Sequence, residues 1–370
     1  MKSLLLENLC KNKNNSIFLQ VKWYSENKRT EQKDMVITIC GGGNLGHVCA
    51  GYLATQNDVE VRVLTRKPSL WRDTISVTDS EGKVFEGKLS LVTDDAKIAL
   101  NNTDIVLLCL PGFSIEEELI RIKPYLETET AVGSVVSSTG FFFRALEILP
   151  KNQTLFGFQR VPFICRIKEY GHSADLLGYK PSLNVAIEQT ETPETLRQQL
   201  ETLFNCPVNL LNSHYEVSLT NSNPLLHTSR LFTVWKNHKL GVKYERNLGF
   251  YSEWTDEASE TFIAMDEEFQ SLLKKLGVRE GAIPMVLNYY ESHDASSLTA
   301  KLRSIKAFKG LLFPMKEIEG GFVPDFDSRY FTEDFPFGLR FIVDLARQKE
   351  VSTPVIDKVF EWGMSIIGKQ

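Results

Sequence analysis

Apolar positions alternate along Val36-Ile37-Thr38-Ile39-Cys40 and then give way abruptly to Gly41-Gly42-Gly43-Asn44-Leu45-Gly46-His47. Beyond the glycines the period changes, with Leu45, Val48, Cys49 and Leu53 falling on one face of a helix. A second alternating run, Val59-Glu60-Val61-Arg62-Val63-Leu64, predicts the next strand. Asp104-Ile105-Val106-Leu107-Leu108-Cys109-Leu110 is continuously apolar, as a parallel strand covered on both faces would be. A helix over 115–126, strands over 131–136, 155–158 and 183–187, and a helix over 193–204 continue the series. After Asn212 the texture shifts to long 3.6-residue periods over 224–235, 253–275, 297–300 and onward, 334–347 and 354–367. Asn223-Pro224 and Thr353-Pro354 each read as a capping residue followed by proline at the first helical position.

The pattern predicts an α/β fold: an N-terminal Rossmann doubly wound sheet over 35–212, followed by a C-terminal all-α domain over 213–370. Residues 1–34 read as a polar N-terminal extension whose composition favours disorder; Leu4-Leu5-Leu6 is too short for a signal-peptide core and is broken by Glu7.

Strand, G-x-G-x-x-G and helix together are the context a dinucleotide site requires. Gly41 allows the tight turn, Gly43 the approach of a pyrophosphate, and Gly46 close packing of helix on strand, while the backbone of Asn44 and Leu45 opens the helix toward the phosphates. The second strand runs out at Thr65-Arg66-Lys67-Pro68 with no carboxylate to accept from a ribose 2′-hydroxyl. A neutral Thr65 and a basic Arg66 predict that NADP(H) is preferred, with NAD(H) as the alternative cofactor. Leu110 and Pro111, at the carboxyl edge of their strand, are expected beside the cofactor. The hydroxyls of Ser137-Ser138-Thr139 follow the next strand; Thr139 is a candidate contact for nicotinamide or substrate, although ordinary turn chemistry accounts for such a run equally well.

Composition narrows the partners. The chain has 370 residues, 42% hydrophobic and 24% charged, with a formal net charge of -5, so no basic footprint for nucleic acid stands out. No stretch approaches the roughly 20 apolar residues of a membrane span. Small molecules are the expected partners, and a homodimer is compatible with the chain. The six cysteines, Cys10, Cys40, Cys49, Cys109, Cys165 and Cys206, show no C-x-x-C pair, and neither they nor the histidines suggest a metal site; reduced thiols of a cytoplasmic protein are expected.

Hydride transfer must be accompanied by proton transfer, for which histidine suits neutral pH. His227 stands out among the six histidines because it lies just inside the helix opened by Asn223-Pro224, at the entry to the second domain. The other charged cluster is 327–339, where Arg329 offers a fork suited to a carboxylate and Asp334 is placed to orient a histidine. Read alone, those residues are equally consistent with a surface ion pair and a helix cap.

Asn223-Pro224-Leu225-Leu226-His227, the run Arg329-Tyr330-Phe331-Thr332-Glu333-Asp334-Phe335-Pro336-Phe337-Gly338-Leu339, and Phe163-Ile164-Cys165-Arg166-Ile167-Lys168-Glu169-Tyr170-Gly171 together resemble the octopine/nopaline (opine) dehydrogenase family from Val36 onward. The resemblance implies reductive condensation of a 2-oxo acid with an amino acid amine, His227 and Asp334 as the catalytic pair, and Arg329, with Asn223 nearby, on the substrate. Thr65-Arg66 departs from what it implies for NADH-using members. Two other readings share the architecture: a ketopantoate-type or hydroxy-acid carbonyl reductase, for which a catalytic lysine would be expected near the Pro224 helix, and a nicotinamide-dinucleotide sensor without turnover.

Overall fold

The computed structural model describes residues 34–239 and 241–368. The polar extension at the start of the chain lies outside the described residues.

Strand β1 (Met35–Cys40) leads through the glycine turn into helix α1 (Asn44–Leu53) and strand β2 (Val59–Leu64). Strands β3 (Thr74–Asp79), β4 (Val84–Lys88) and β5 (Leu91–Thr93) follow, then helix α2 (Ala96–Ala99), β6 (Ile105–Leu108), α3 (Gly112–Ile122), β7 (Ala131–Ser134), α4 (Phe141–Ile148) and β8 (Leu155–Phe158). After β9 (Phe163–Glu169), β10 (Ser173–Tyr179), β11 (Leu183–Glu188), α5 (Pro193–Phe204) and β12 (Val208–Leu210) come the helices of the second half. These include α6 (His214–Ser218), α7 (Asn223–Trp235), α8 (Asp256–Lys275), α9 (Val286–Tyr289) and α10 (Ala295–Ser304). A hairpin of β13 (Met315–Ile318) and β14 (Gly321–Pro324) precedes α11 (Arg329–Thr332), α12 (Arg340–Gln348) and α13 (Pro354–Ile367).

The large sheet has the order β12-β11-β8-β7-β6-β1-β2-β5, parallel except where β11 meets β8. Both of its faces are covered. Ile37 and Ile39 point into one core, Cys40 and Val106 into the other, and every residue of β6 is buried. Even Thr38, the polar position in the alternating β1 pattern, is buried, its hydroxyl donating to Ala99 O at 2.9 Å. Strand order reverses between β1 and β6, which opens a crevice at their carboxyl ends.

The sequence pattern did not reveal a second sheet, of order β4-β3-β10-β9, that packs on the far side of α1. The approach there is backbone-close: a Cβ on Gly87 would fall on Gly51 O, so glycine is needed at the contact.

The second half is helical as expected, with its own core around Trp235, Trp254, Phe262 and Phe331. Its sheet content among the described residues is the β13–β14 hairpin. The expected helix over 334–347 is divided: Phe335–Leu339 forms a π-turn, with Leu339 N–H donating to Asp334 O, before α12 begins. Thr353 is the N-cap with Pro354 first in the helix, as expected, but its hydroxyl makes no cap bond, and α7 starts one residue early, with Ser222 as its N-cap and Pro224 second. Val217 of α6 packs into the core of the nucleotide domain, so the passage between halves is packed rather than a free linker.

Candidate active site

The crevice at the β1–β6 reversal holds a cavity of about 330 Å³ lined by Gly41, Gly42, Gly43, Thr65, Arg66, Leu110, Pro111 and Tyr170, among others. The three fingerprint glycines are glycine for three different reasons. Gly41 has φ +116° and a Cβ there would lie 2.8 Å from Cys109 O; a Cβ on Gly46 would fall on Gly41 O; a Cβ on Gly43 would meet nothing within 4 Å. Gly43 is therefore open on the side from which a pyrophosphate would come. It caps α1 without any side-chain hydrogen bond, leaving the helix amides free for phosphate oxygens. This cradle fits a dinucleotide.

Arg66 is exposed at its rim and Thr65 is 5% exposed. Two expected cofactor residues contribute otherwise. The Asn44 side chain faces away from the cavity, Oδ1 accepting from Ile167 N–H at 2.8 Å, and Leu45 packs on the core; each can offer the ligand its backbone only.

In the second half, His227 lies in α7 and Asp334 opens the π-turn, 107 residues later in the chain. They meet at 2.8 Å through His227 Nδ1 and Asp334 Oδ2. Close packing fixes the approach, since a Cβ on Gly338 would lie 2.7 Å from Pro224 Cγ. Asp334 makes no side-chain cap bond, so its carboxylate is spent on the histidine. A carboxylate only accepts, so Nδ1 carries the proton and Nε2 presents its lone pair. That lone pair is met at 3.0 Å by the hydroxyl of Tyr251.

Sequence reading missed Tyr251, which lies in an aromatic-dense stretch with no motif to mark it. It is 4% exposed and stacks on Phe308 with ring centroids 4.0 Å apart. Burial, with nearby Tyr330, Tyr290 and Asp334, pushes its hydroxyl far above the usual phenol range, so it remains a neutral donor. Tyr330 covers another side of the imidazole at 4.8 Å.

Other candidates sit differently. Arg329 is exposed, and its fork closes on Glu333 through two bonds of 2.8 Å rather than pointing at the histidine. The reason is local: Glu333 follows at i+4 on the same helical face. Asp334 still acts on Arg329 electrostatically, after the larger effect of Glu333. Asn223 is exposed one turn before His227 on the same helix. Thr139 is half-buried and bonds Val136 O at 3.0 Å, as turn chemistry would have it.

The two halves of the site touch at Gly112, where a Cβ would lie 3.0 Å from Thr139 O and 3.1 Å from Phe337 Cβ. The cavity rim at Pro111 thus runs into both the hydroxyl turn and the segment carrying Asp334. No lysine occurs in α7. Among the described residues no group of three or more His, Cys, Asp and Glu could hold a metal, and no helix is long and apolar enough to cross a membrane. Cys40, Cys49, Cys109, Cys165 and Cys206 are free thiols.

Residues 210–367 match the family model described as NAD/NADP octopine/nopaline dehydrogenase, alpha-helical domain, and residues 37–163 match that of ketopantoate reductase PanE/ApbA. Over 371 aligned residues the chain is 30% identical to tauropine dehydrogenase of Arabella iricolor, covering 91% of this chain and 92% of the relative. The chain belongs to the opine dehydrogenase family. Octopine dehydrogenase of Pecten maximus is 28% identical over 90% of each chain. A solved octopine dehydrogenase with NADH and L-arginine superposes with a TM-score of 0.78 at 27% identity, again over 90% of each chain. This family member is an NAD(P)-dependent oxidoreductase acting on CH–NH groups, and its cofactor is a nicotinamide dinucleotide. The ketopantoate reductase match over 37–163 reflects the shared nucleotide-binding half.

Proposed function

We propose that the chain joins the amine of an amino acid to a 2-oxo acid and reduces the resulting imine, with His227 as general acid/base, Asp334 as its orienting partner and NADPH as the preferred donor. The observation that carries this reading is the imidazole held from both sides, by Asp334 at 2.8 Å and Tyr251 at 3.0 Å.

Condensation expels water from a carbinolamine and leaves a C=N bond. A bound nicotinamide dinucleotide supplies the hydride to the imine carbon. The nitrogen must take a proton, and in this reading His227 Nε2 exchanges it after Tyr251 OH gives up its bond to that atom. Asp334 keeps Nδ1 protonated and stabilises the imidazolium. Tyr251 fixes the ring plane from the other nitrogen. Arg329, once its fork leaves Glu333, holds a substrate carboxylate so that the planar imine offers one face to the hydride. The basic Arg66 at the cavity rim, with Thr65 and no carboxylate at the end of β2, supports the NADPH preference, although Glu117 and Glu118 line another part of the same cavity.

The experiment is a screen of cofactor oxidation with pyruvate across amino acids. Turnover that needs both an oxo acid and an amine supports the reading; the full rate with an oxo acid alone transfers the protein to the carbonyl reductases. Fluorescence titration tests the donor: wild type binding NADPH more tightly than NADH, and Arg66→Ala narrowing the difference, is the expected pair of results. An equal or reversed preference in the wild-type protein refutes it.

A further inference from the structure

The hairpin of β9 and β10 has no role in the chemistry above, yet the fingerprint helix grips it at two points. Asn44 Oδ1 accepts from Ile167 N–H at 2.8 Å, and His47 Nε2 accepts from Gly171 N–H at 2.7 Å. An accepting Nε2 requires the proton on Nδ1, which bonds Gly43 O at 3.0 Å, so His47 is held neutral in a single tautomer. It is fully buried, and burial lowers its proton affinity further. Gly171 has φ +73°, and a Cβ there would fall on Leu70 O. The hairpin tip is thereby fixed against the glycine turn.

What the grip presents is Tyr170. Its ring stands edge-on to His47 at 5.0 Å and to Trp71 at 6.0 Å, and it lines the dinucleotide cavity. A Cβ on Gly42 would lie 2.6 Å from Tyr170 OH and 3.0 Å from Thr65 Oγ1. The two hydroxyls therefore converge on one point, at the end of β2, where a dinucleotide places the 2′ position of its adenosine ribose. Tyr170 OH makes no hydrogen bond among the described residues, whereas the His47 ring beneath it has both nitrogens engaged.

We propose that Tyr170 is a specificity-determining residue of the dinucleotide site, its hydroxyl donating to the oxygen at the ribose 2′ position, and that His47 is the positioning residue that holds it there. The inference rests on dinucleotide binding and is independent of the roles given to His227 and Asp334. A hydrogen bond to a phosphate oxygen is about twice as strong as one to a neutral hydroxyl, so the two cofactors should report the contact unequally.

The test is titration of the intact enzyme with NADPH and NADH, followed by cofactor fluorescence. Tyr170→Phe should weaken NADPH about tenfold and NADH about threefold. Equal losses would place the hydroxyl on the pyrophosphate common to both cofactors, and no loss would leave the ring a mere wall; either overturns the assignment. His47→Leu should reproduce the Tyr170→Phe loss and add under about twofold to it in the double variant, while His47→Gln, which keeps an acceptor for Gly171 N–H, should restore binding. If His47→Leu adds its full loss to that of Tyr170→Phe, or leaves binding intact, His47 does not act through Tyr170. The Tyr170→Phe comparison decides the main claim should His47→Leu fail to fold.

Discussion

Asp334→Asn isolates the charge behind His227. The side chains of the pair are 13% and 17% exposed, a setting between protein interior and water. With charge centres about 4 Å apart and an effective dielectric near 20, the carboxylate stabilises an imidazolium by about 4 kcal/mol. Asparagine keeps the shape but offers either a neutral oxygen or an amide donor, and the latter would force the wrong tautomer. Allowing for relaxation, about 3 kcal/mol of transition-state stabilisation is lost, or two orders of magnitude in kcat. His227→Ala should cost at least as much, and the double variant should resemble His227→Ala alone, because Asp334 acts through the ring it orients. The assay is steady-state oxidation of the reduced dinucleotide at saturating oxo acid and amino acid, with dinucleotide affinity and Tm measured on each variant. Losses that multiply, or a fall in Tm with kcat intact, would refute the pairing and return Asp334 to the role of a helix cap.

Further outcomes follow from other contacts. Arg329→Lys should raise the Michaelis constant of one carboxylate substrate about tenfold with a smaller change in kcat, since a point charge replaces a fork; an unchanged constant would leave Arg329 as the surface partner of Glu333. Gly43→Ala should leave Tm unchanged but weaken dinucleotide binding at least about tenfold, whereas Gly46→Ala should lower both, because only the second added methyl collides with protein, as calorimetry and titration would show. Glu188 accepts from His214 N–H at 2.9 Å and from its ring at 3.0 Å, tying β11 to α6. Burial raises the Glu188 pKa, but the bonds from His214 outweigh it and hold the carboxyl below its ordinary value. Its stabilisation is therefore present above the unfolded-state pKa of about 4.3 and is lost as pH falls through the lower folded value. Glu188→Gln should lower stability by about 1 kcal/mol at neutral pH, after discounting for partial exposure, with the gap closing in acid; a pH-independent gap would mean that packing, not charge, is at stake.

Much of this protein was written locally. The β1 strand, the glycine turn and α1 lie within twenty consecutive residues, so Gly41, Gly43 and Gly46 could be picked out by spacing before any coordinates, although the carbonyl of Cys109 that crowds Gly41 comes from the far side of the crevice. The helix period exposed α7 and α13, and with them the position of His227. Motif likeness singled out Asp334. Periodicity and turn chemistry act over one or two turns of chain, and they carry no information about which distant faces meet. Tertiary structure decided that His227 and Asp334 touch across 107 residues and that Tyr251 closes the other nitrogen, whereas the fork of Arg329 rests on Glu333 for a local reason, four residues along the chain. It also decided the small sheet, whose short strands β3, β4, β9 and β10 acquire their apolar face only when α1 packs against them, and through it the place of Tyr170 over Gly42. Local sequence sets what each segment can form; the packing of one buried face on another, which depends on the whole chain at once, sets which side chains share a site.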